Sequence, residues 1–174
     1  MVAAAMTLQG FTREFLAQLF EYKPKKGLLV RRIARNANNA RAGDVVGSVD
    51  GKGYLHVNIL GKFVRIHRIC FFLHYGWLPA QIDHRDTNRQ NNKSKNLRAA
   101  TQRENAGNTL LHAHNTSGLR GVSLSTKSGL WHAQIKIDGK QTYLGRSANP
   151  LVAARYYDRA AKDHFGEFAR LNNV

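Results

Sequence analysis

Residues 82–105 carry the most informative pattern of the sequence and read IDHRDTNRQNNKSKNLRAATQREN. It opens with the adjacent Asp83 and His84, and it places Asn96 twelve residues after His84 and Asn105 nine residues after Asn96. So polar a segment does not suit a protein core, where polar side chains are costly to bury without partners. The spacing of a carboxylate, an imidazole and two amides indicates a functional site.

The same stretch predicts two strands followed by a helix. The Asp83-His84 pair is expected to end one strand, Asn96 to follow the return strand, and Asn105 to lie on the helix. Thr101 and Glu104 have the spacing of a capping box, which predicts that this helix begins at Thr101. The pair alone is also typical of a surface turn, and the joint spacing is what favours a site in which the polar groups converge.

The residue types suit the hydrolysis of a phosphodiester bond. That reaction needs an activated water, neutralisation of the phosphate charge and stabilisation of the leaving oxygen. Carboxylate and amide oxygens suit a divalent metal, Mg²⁺ or Mn²⁺, and a histidine that titrates near neutrality suits removal of a proton from water. Zinc is the less favoured metal, because the eight histidines and the single cysteine show no zinc-ligand spacing.

The segment resembles the HNH nuclease family, especially its phage and intron homing branch. The resemblance implies that His84 is the general base and that Asp83 and Asn105 hold the metal. It also implies that Asn96 serves catalysis by bracing the hairpin and orienting His84. The family name places a histidine where this chain has Asn105, as in the Asn-ending variant of the homing branch. The likeness is carried by His67-Arg68, Ile82-Asp83-His84-Arg85-Asp86, Asn91-Asn92, Asn96-Leu97-Arg98, Thr101 and Asn105.

The region before this stretch predicts a helix, a hairpin and a second helix. The first helix has Thr12 as its N-cap and is expected to end at Pro24 and Gly27. Residues 31–41 are basic and are interpreted as a loop or as an arm that lies on phosphates. Alternating apolar and polar residues over 54–59, followed by a turn at Gly61-Lys62, predict the hairpin, and an apolar block over 66–75 predicts the second helix.

The C-terminal part has a different pattern of short strands and one helix. Strands are predicted at Gly121 to Ser125, at Trp131 to Ile137 and at Gln141 to Leu144, with a tight turn at Asp138-Gly139. A helix is predicted to begin at Asn149-Pro150 and to stop at Gly166. In the second strand the apolar residues alternate with His132, Gln134 and Lys136, so one face packs and the other faces solvent.

Residues 117 to 172 resemble the AP2/ERF DNA-binding domain. The likeness is carried by Arg120-Gly121-Val122, Trp131, Ala133, Ile135, Gly139-Lys140, Leu144-Gly145, Ala153-Ala154, Tyr157-Asp158, Ala160-Ala161, Gly166 and Leu171-Asn172. It implies a three-stranded sheet whose open face enters the major groove of DNA. Several arginine or tryptophan positions of the plant factors are Ser, Gln or Tyr here, so the base preference is expected to differ. The implied DNA-binding residues are Arg120, Ser123, Ser125, Gln134, Lys136, Gln141 and Tyr143.

The charge of the chain also indicates nucleic acid. The 27 Lys and Arg residues outnumber the 11 Asp and Glu residues and give a net charge of +16, with both halves of the chain basic. Such an excess points to a polyanionic partner, and double-stranded DNA is the expected one. RNA is less favoured, because no RNA-binding signature is present. A hydrophobic fraction of 43% is enough for a packed core.

A cytoplasmic location, in a bacterial or phage-infected cell, is expected from the same sequence. No segment has the length of a membrane span, no secretion signal is evident, and no membrane partner is expected. The single cysteine, Cys70, lies in an apolar run and is interpreted as a buried structural thiol.

Together these features predict an α+β protein of two domains. An HNH nuclease domain is expected over residues 1–106, with its ββα-metal core at about 80–108, followed by a linker over 107–116 and an AP2-like domain over 117–174. The predicted activity is that of a metal-dependent DNA endonuclease of the nicking or homing type, acting as a monomer or as a dimer assembled on DNA. The alternative is a non-catalytic, sequence-preferring DNA-binding regulator.

Overall fold

The computed structural model describes residues 6–34, 40–111 and 114–174 of a mixed α+β protein. Its contacts divide the chain into two compact units, Met1–Ala100 and Thr101–Val174. The predicted boundaries of the nuclease domain, the linker and the AP2-like domain remain predictions.

The first unit contains two helices and seven strands among its described residues. Three antiparallel arrangements organise the strands: the pair β1-β2, the sheet β3-β4-β5 and the pair β6-β7. The elements are α1 (Arg13–Leu19), β1 (Phe20–Lys23), β2 (Leu28–Arg31), β3 (Ser48–Val49), β4 (Leu55–Ile59), β5 (Lys62–Arg65), α2 (Ile66–Tyr75), β6 (Gln81–His84) and β7 (Leu97–Ala100).

Helix α1 begins as predicted and ends earlier than predicted. The Thr12 side chain accepts a hydrogen bond from the backbone N–H of Phe15 at 3.2 Å, which confirms the N-cap. The expected end at Pro24 and Gly27 is wrong, because Phe20 is already extended and begins β1. Four cross-strand pairs join β1 to β2 in a hairpin. The cause is tertiary: Phe20 is 3% exposed, so the strand places it in the core instead of prolonging the helix.

The core of this unit forms where α1 and α2 pack with the sheet β3-β4-β5. Helix α2 has the predicted bounds, and Gly76 ends it in the left-handed conformation. The turn between β4 and β5 lies at Leu60-Gly61, one residue before the predicted position. Cys70 is fully buried on α2, as predicted, and burial raises the pKa of its thiol. The largest side chains sealed in this core are Phe72, Leu16, Leu29, Ile66, Ile69 and Val64.

The second unit contains a three-stranded antiparallel sheet and two helices among its described residues. The elements are α3 (Gln102–Gly107), β8 (Val122–Leu124), β9 (Trp131–Ile137), β10 (Lys140–Ser147) and α4 (Pro150–Phe165). The sheet order is β10-β9-β8, and α4 packs against all three strands through fully buried alanines, Ala153 and Ala154 among them. The predicted Asp138-Gly139 turn, the Asn149 cap and the stop at Gly166 are confirmed.

The basic stretch 31–41 and the predicted linker 107–116 lie only partly within the described residues. The basic stretch 31–41 begins with the last residue of β2, and its residues 35–39 lie outside the described part of the chain. Of the predicted linker, Gly107 belongs to α3, and residues 112–113 are outside the described part. Among the helices that are described, none is long and apolar enough to cross a membrane.

Candidate active site

Asp83 and His84 are the last two residues of β6, at the end of the strand as predicted. In the antiparallel register Asp83 lies opposite Arg98 and His84 opposite Leu97. Both polar side chains belong to the interior, since Asp83 is 5% exposed and His84 is 3% exposed. Burial on this scale requires specific partners for each group.

The partner of Asp83 is the guanidinium of Arg98. Its Nε and Nη2 atoms both lie 2.7 Å from Oδ2 of Asp83, and both side chains are almost fully buried. The two opposite charges neutralise each other where water does not reach. The carboxylate is thereby held in a fixed orientation beside His84.

His84 is held by Asn92, a residue to which the sequence reasoning gave no role. The His84 Nε2 atom lies 3.2 Å from Oδ1 of Asn92, and Asn92 itself is only 1% exposed. Burial lowers the pKa of His84, while the Asn92 hydrogen bond and the charge of Asp86 act in the opposite direction. The net direction is downward, so the imidazole is neutral near pH 7 and is able to accept a proton.

Asn96 lies before the return strand, so the expectation that it follows this strand is wrong. It closes a 3-10 turn at Ser94–Asn96, directly ahead of β7. Its Nδ2 donates to Oδ1 of Asp86 at 2.9 Å and to the Asn91 carbonyl at 2.7 Å, and its Oδ1 accepts from the Asp86 backbone at 3.1 Å. Asn96 thus fastens the two ends of the loop to each other, and its predicted catalytic role stays a prediction.

Asp86 is a second residue that the sequence reasoning left without a role. Partial burial works to raise its pKa, but hydrogen bonds from Asn91 and Asn96 hold that pKa below its ordinary value. The carboxylate therefore stays ionised and accepts hydrogen bonds that shape the loop. The Asn-rich composition of the loop was the available signal, because a carboxylate followed by several amides is able to build such a network.

Two rings pack on His84 from outside the β6-β7 hairpin. The His67 ring contacts it edge to face at 5.2 Å between centroids, and the Tyr54 ring lies at 5.9 Å. His67 is 5% exposed, and burial followed by the charge on His84 lowers its pKa to about 3. The guanidinium groups of Arg65 and Arg89 lie over the Tyr54 ring at 4.3 and 5.0 Å.

Asn105 lies on α3, in the second unit. The capping box at Thr101 and Glu104 is confirmed: each side chain bonds the backbone N–H of the other residue. Asn105 occupies the first turn of this helix, and its N–H bonds the Thr101 carbonyl at 3.1 Å. Asp83, His84 and Asn96 therefore occur together in the first unit, and Asn105 keeps its role as a predicted metal ligand.

The sheet of the second unit presents a polar face. In the strand register Ser123 lies opposite His132, Gln134 opposite Tyr143, and Lys136 opposite Gln141, so these side chains share one face. A hydrogen bond of 3.0 Å joins Gln141 to Gln134, and the Tyr143 ring is 54% exposed. Among the residues predicted to bind DNA, this face brings together Ser123, Gln134, Lys136, Gln141 and Tyr143.

The other two predicted DNA-binding residues lie at the edges of this sheet. Ser125 follows β8, where its backbone N–H bonds the Leu130 carbonyl at 2.9 Å. Arg120 precedes β8, and its backbone N–H bonds Oδ1 of Asn172 at 2.6 Å. Half-burial lowers the pKa of the Arg120 guanidinium, and the neighbouring Tyr157 opposes that shift. His132, on the polar face, was absent from the predicted set.

The segment that contains Asp83 and His84 is similar to known proteins. Residues 64–107 match the family model described as HNH endonuclease. Protein 3.8 of Escherichia phage T7 is 37% identical over 89 residues, which are 51% of this chain and 73% of that protein. An uncharacterized HNH endonuclease of Acanthamoeba polyphaga mimivirus is 32% identical over 118 residues, 66% of this chain, and the match spans 60% of that relative's length. Residues 64–107 of this chain are therefore an HNH endonuclease domain.

A similar solved structure is that of the HNH homing endonuclease I-HmuI, described for DNA binding and cleavage. The two chains are 20% identical, the match covers 84% of this chain and 77% of that one, and the TM-score is 0.38.

Proposed function

We propose that the protein is a metal-dependent DNA endonuclease that hydrolyses one phosphodiester bond per active site. The observation that carries this proposal is that His84, hydrogen-bonded to Asn92, lies beside the buried carboxylate of Asp83 at the end of one strand. The match of residues 64–107 to the HNH endonuclease model agrees with it.

His84 is the general base in this proposal. Its lowered pKa keeps the ring unprotonated at neutral pH, where it takes a proton from the attacking water. Asn92 fixes the plane of the ring, and Asn96 fixes the loop that carries Asn92. Positioning of this kind matters, because proton transfer requires hydrogen-bond reach between the base and the water.

The residues that would hold a metal are Asp83 and Asn105, the pair implied by the family resemblance. A carboxylate and an amide oxygen suit Mg²⁺ or Mn²⁺, which retain water ligands and take few protein ligands. Within the described ranges no cluster of three or more His, Cys, Asp or Glu residues could hold a metal. A site built from one carboxylate and one amide oxygen does not require such a cluster. When bound, the metal would neutralise charge on the phosphate and the leaving oxygen.

DNA is held, in this proposal, by the polar face of the second unit in the manner of an AP2-like domain. The support is the alignment of Gln134, Lys136, Gln141 and Tyr143 on one open face, while α4 covers the other. Amide side chains read base edges and Lys136 meets a phosphate. Arg120 and Ser125 lie at the edges of this surface, and Ser123 lies on it.

The test is nicking of supercoiled plasmid with and without Mg²⁺ or Mn²⁺. The wild type is expected to convert the plasmid to the nicked form only with metal, and His84→Ala to slow this at least ~100-fold. His114→Ala, an exposed histidine, is the matched control and should cut normally. Protein that binds the plasmid but never nicks it with any divalent metal would instead be a DNA-binding regulator, and the proposed activity would be wrong.

The time course of the same assay separates nicking from double-strand cutting. One active site makes one nick, so linear plasmid should appear only after the nicked form has accumulated. Linear plasmid formed at the same rate as nicked plasmid would indicate two copies acting on opposite strands.

A further inference from the structure

Asn92 is the most deeply buried polar residue of the candidate site. It is 1% exposed, it lies in the loop that follows β6, and its Oδ1 lies 3.2 Å from Nε2 of His84. Its Nδ2 atom is buried without a hydrogen-bond partner among the described residues. Burying a donor without a partner is costly, so the position of this amide carries a free-energy cost in the folded chain.

The β1-β2 hairpin supports the backbone of Asn92 from behind. The Tyr22 hydroxyl donates to the Asn92 carbonyl at 2.7 Å, and the Ser94 backbone N–H donates to the Pro24 carbonyl at 3.1 Å. These two bonds fasten the loop to β1 and to the turn that follows it. Burial raises the pKa of Tyr22, so its hydroxyl remains a donor throughout the neutral range.

Gly27 brings the same hairpin into direct contact with the loop. A Cβ atom on Gly27 would lie 2.5 Å from the Lys93 nitrogen and 2.8 Å from the Asn92 carbonyl carbon, and φ at Gly27 is +72°. Both distances are far inside van der Waals contact and involve backbone, which has little freedom to move. Only glycine fits here without displacing the segment that carries Asn92.

We propose that Asn92, supported by the β1-β2 hairpin, is a positioning residue that selects the tautomer of His84. With Asn92 Oδ1 as acceptor, the ring proton of neutral His84 resides on Nε2. Nδ1 then carries the lone pair that receives a proton from water. The role of that lone pair rests on the proposed nuclease function, but the tautomer itself does not.

The support for Asn92 therefore comes from outside the matched family segment. The HNH match covers residues 64–107, whereas Tyr22, Pro24 and Gly27 lie about forty residues upstream of it. His67, inside the segment, closes the other side of the ring by an edge-to-face contact and provides no charge there. One side of the His84 ring thus packs against His67. The other side is oriented by the hydrogen bond to Asn92, which the β1-β2 hairpin holds in place.

The first test reads the tautomer directly in the metal-free, DNA-free full chain. Two-bond ¹H–¹⁵N correlation spectra at neutral pH distinguish the two neutral forms of each histidine, and His84→Gln identifies the His84 signals by their loss. The wild type is expected to show the Nε2–H form. Asn92→Leu should convert this to a mixture of both tautomers, while Asn92→Asp, which retains an acceptor oxygen, should keep the Nε2–H form. A wild type in the Nδ1–H form, or an Asn92→Leu spectrum unchanged at His84, overturns the proposal.

The second test addresses the hairpin with a matched pair of glycines. Gly27→Ala should disturb the His84 tautomer and slow single-turnover cleavage at least ~10-fold. Gly51→Ala is the control, because Gly51 has open space around its Cβ position and should leave both readouts unchanged. Should Gly27→Ala fail to fold, Tyr22→Phe removes one bond to the Asn92 carbonyl and should produce a smaller shift in the same direction. Unchanged His84 signals in a folded Gly27→Ala or Tyr22→Phe variant contradict the role of the hairpin.

The two proposals fail separately. If the wild type never cuts DNA but shows the Asn92-dependent tautomer, the nuclease function is wrong and the positioning role stands. If it cuts DNA while its tautomer is independent of Asn92, the positioning role is wrong and the nuclease function stands.

Discussion

Arg98 contacts one carboxylate oxygen of Asp83 through two nitrogen atoms: its Nε and its Nη2 both lie 2.7 Å from Oδ2. The contact joins the two strands of the β6-β7 hairpin at directly opposed positions. A buried charge pair of this kind is sensitive to the loss of either partner, because the remaining charge has no water to solvate it. The stability of the site and the charge of the proposed metal ligand are therefore linked.

Loss of Arg98 should destabilise the protein strongly. We expect Arg98→Met to lower the free energy of unfolding by about 3–5 kcal/mol, because it leaves the buried Asp83 carboxylate without the charge of its guanidinium partner. Urea denaturation followed by circular dichroism measures this. Arg32→Met replaces an exposed arginine and should change the value by less than about 0.5 kcal/mol. Equal effects of the two variants would show that the Asp83 contact contributes nothing.

His67 should make the fold sensitive to mild acid. Its pKa is about 3 in the folded chain and near 6.5 when exposed, so below pH 6.5 the unfolded chain binds the extra proton. The free energy of unfolding should then fall by about 1.4 kcal/mol per pH unit as the pH drops from 6.5 towards 3. His67→Phe removes the group that binds this proton, so the dependence of the free energy of unfolding on pH should become weaker by about 1.4 kcal/mol per pH unit. Urea denaturation at pH 5 and pH 7 measures the difference. A slope that persists in full in His67→Phe would assign it to other groups.

Asn96→Ala should loosen the loop between β6 and β7. The change removes three hydrogen bonds that join Asn96 to Asp86 and Asn91, two of them to backbone atoms. We expect a loss of about 1–3 kcal/mol in stability and faster amide hydrogen exchange over residues 86–92. Gln90→Ala changes an exposed side chain in the same loop and is the control, with exchange over residues 86–92 expected to stay unchanged. Exchange over 86–92 that is unaffected by Asn96→Ala would disprove the bracing role.

Lys136→Ala should weaken DNA binding by removing one phosphate contact. The logarithm of the affinity should fall less steeply with the logarithm of salt concentration, by about one unit of slope. Arg120→Ala is expected to act in the same direction. Lys162 is an exposed lysine on α4. Lys162→Ala removes one positive charge, as Lys136→Ala does, but from the helix, and it should leave the slope unchanged. Fluorescence anisotropy between 50 and 200 mM salt, about a fourfold range, resolves this difference. Identical slopes for Lys136→Ala and Lys162→Ala would remove the sheet face as the DNA-binding surface.

Features determined by neighbours in sequence were predictable here. The Thr101 capping box, the helix start at Asn149-Pro150 and the Asp138-Gly139 turn each depend on a few consecutive residues, and all three predictions are confirmed. The likeness around Asp83 and His84 likewise lies in one short segment, and the HNH endonuclease model matches that segment.

Features determined by distant packing were not predictable. Phe20 continues the apolar stripe of α1 in sequence, yet its burial in the core makes it the first residue of β1. Asn92 and Asn96 are similar amides four residues apart, and nothing in their spacing says which one meets His84. The answer depends on Tyr22 and Gly27, which reach the loop only after the chain has folded.

Cys70 has a practical consequence for experiments on this protein. It is the one cysteine of the chain, it is fully buried, and its raised pKa keeps the thiol protonated and unreactive. A cysteine introduced at an exposed position would therefore be the only thiol that alkylating dyes reach in the native protein. Fluorophores attached in this way would report where each unit lies along a DNA duplex, with the native Cys70 left in place.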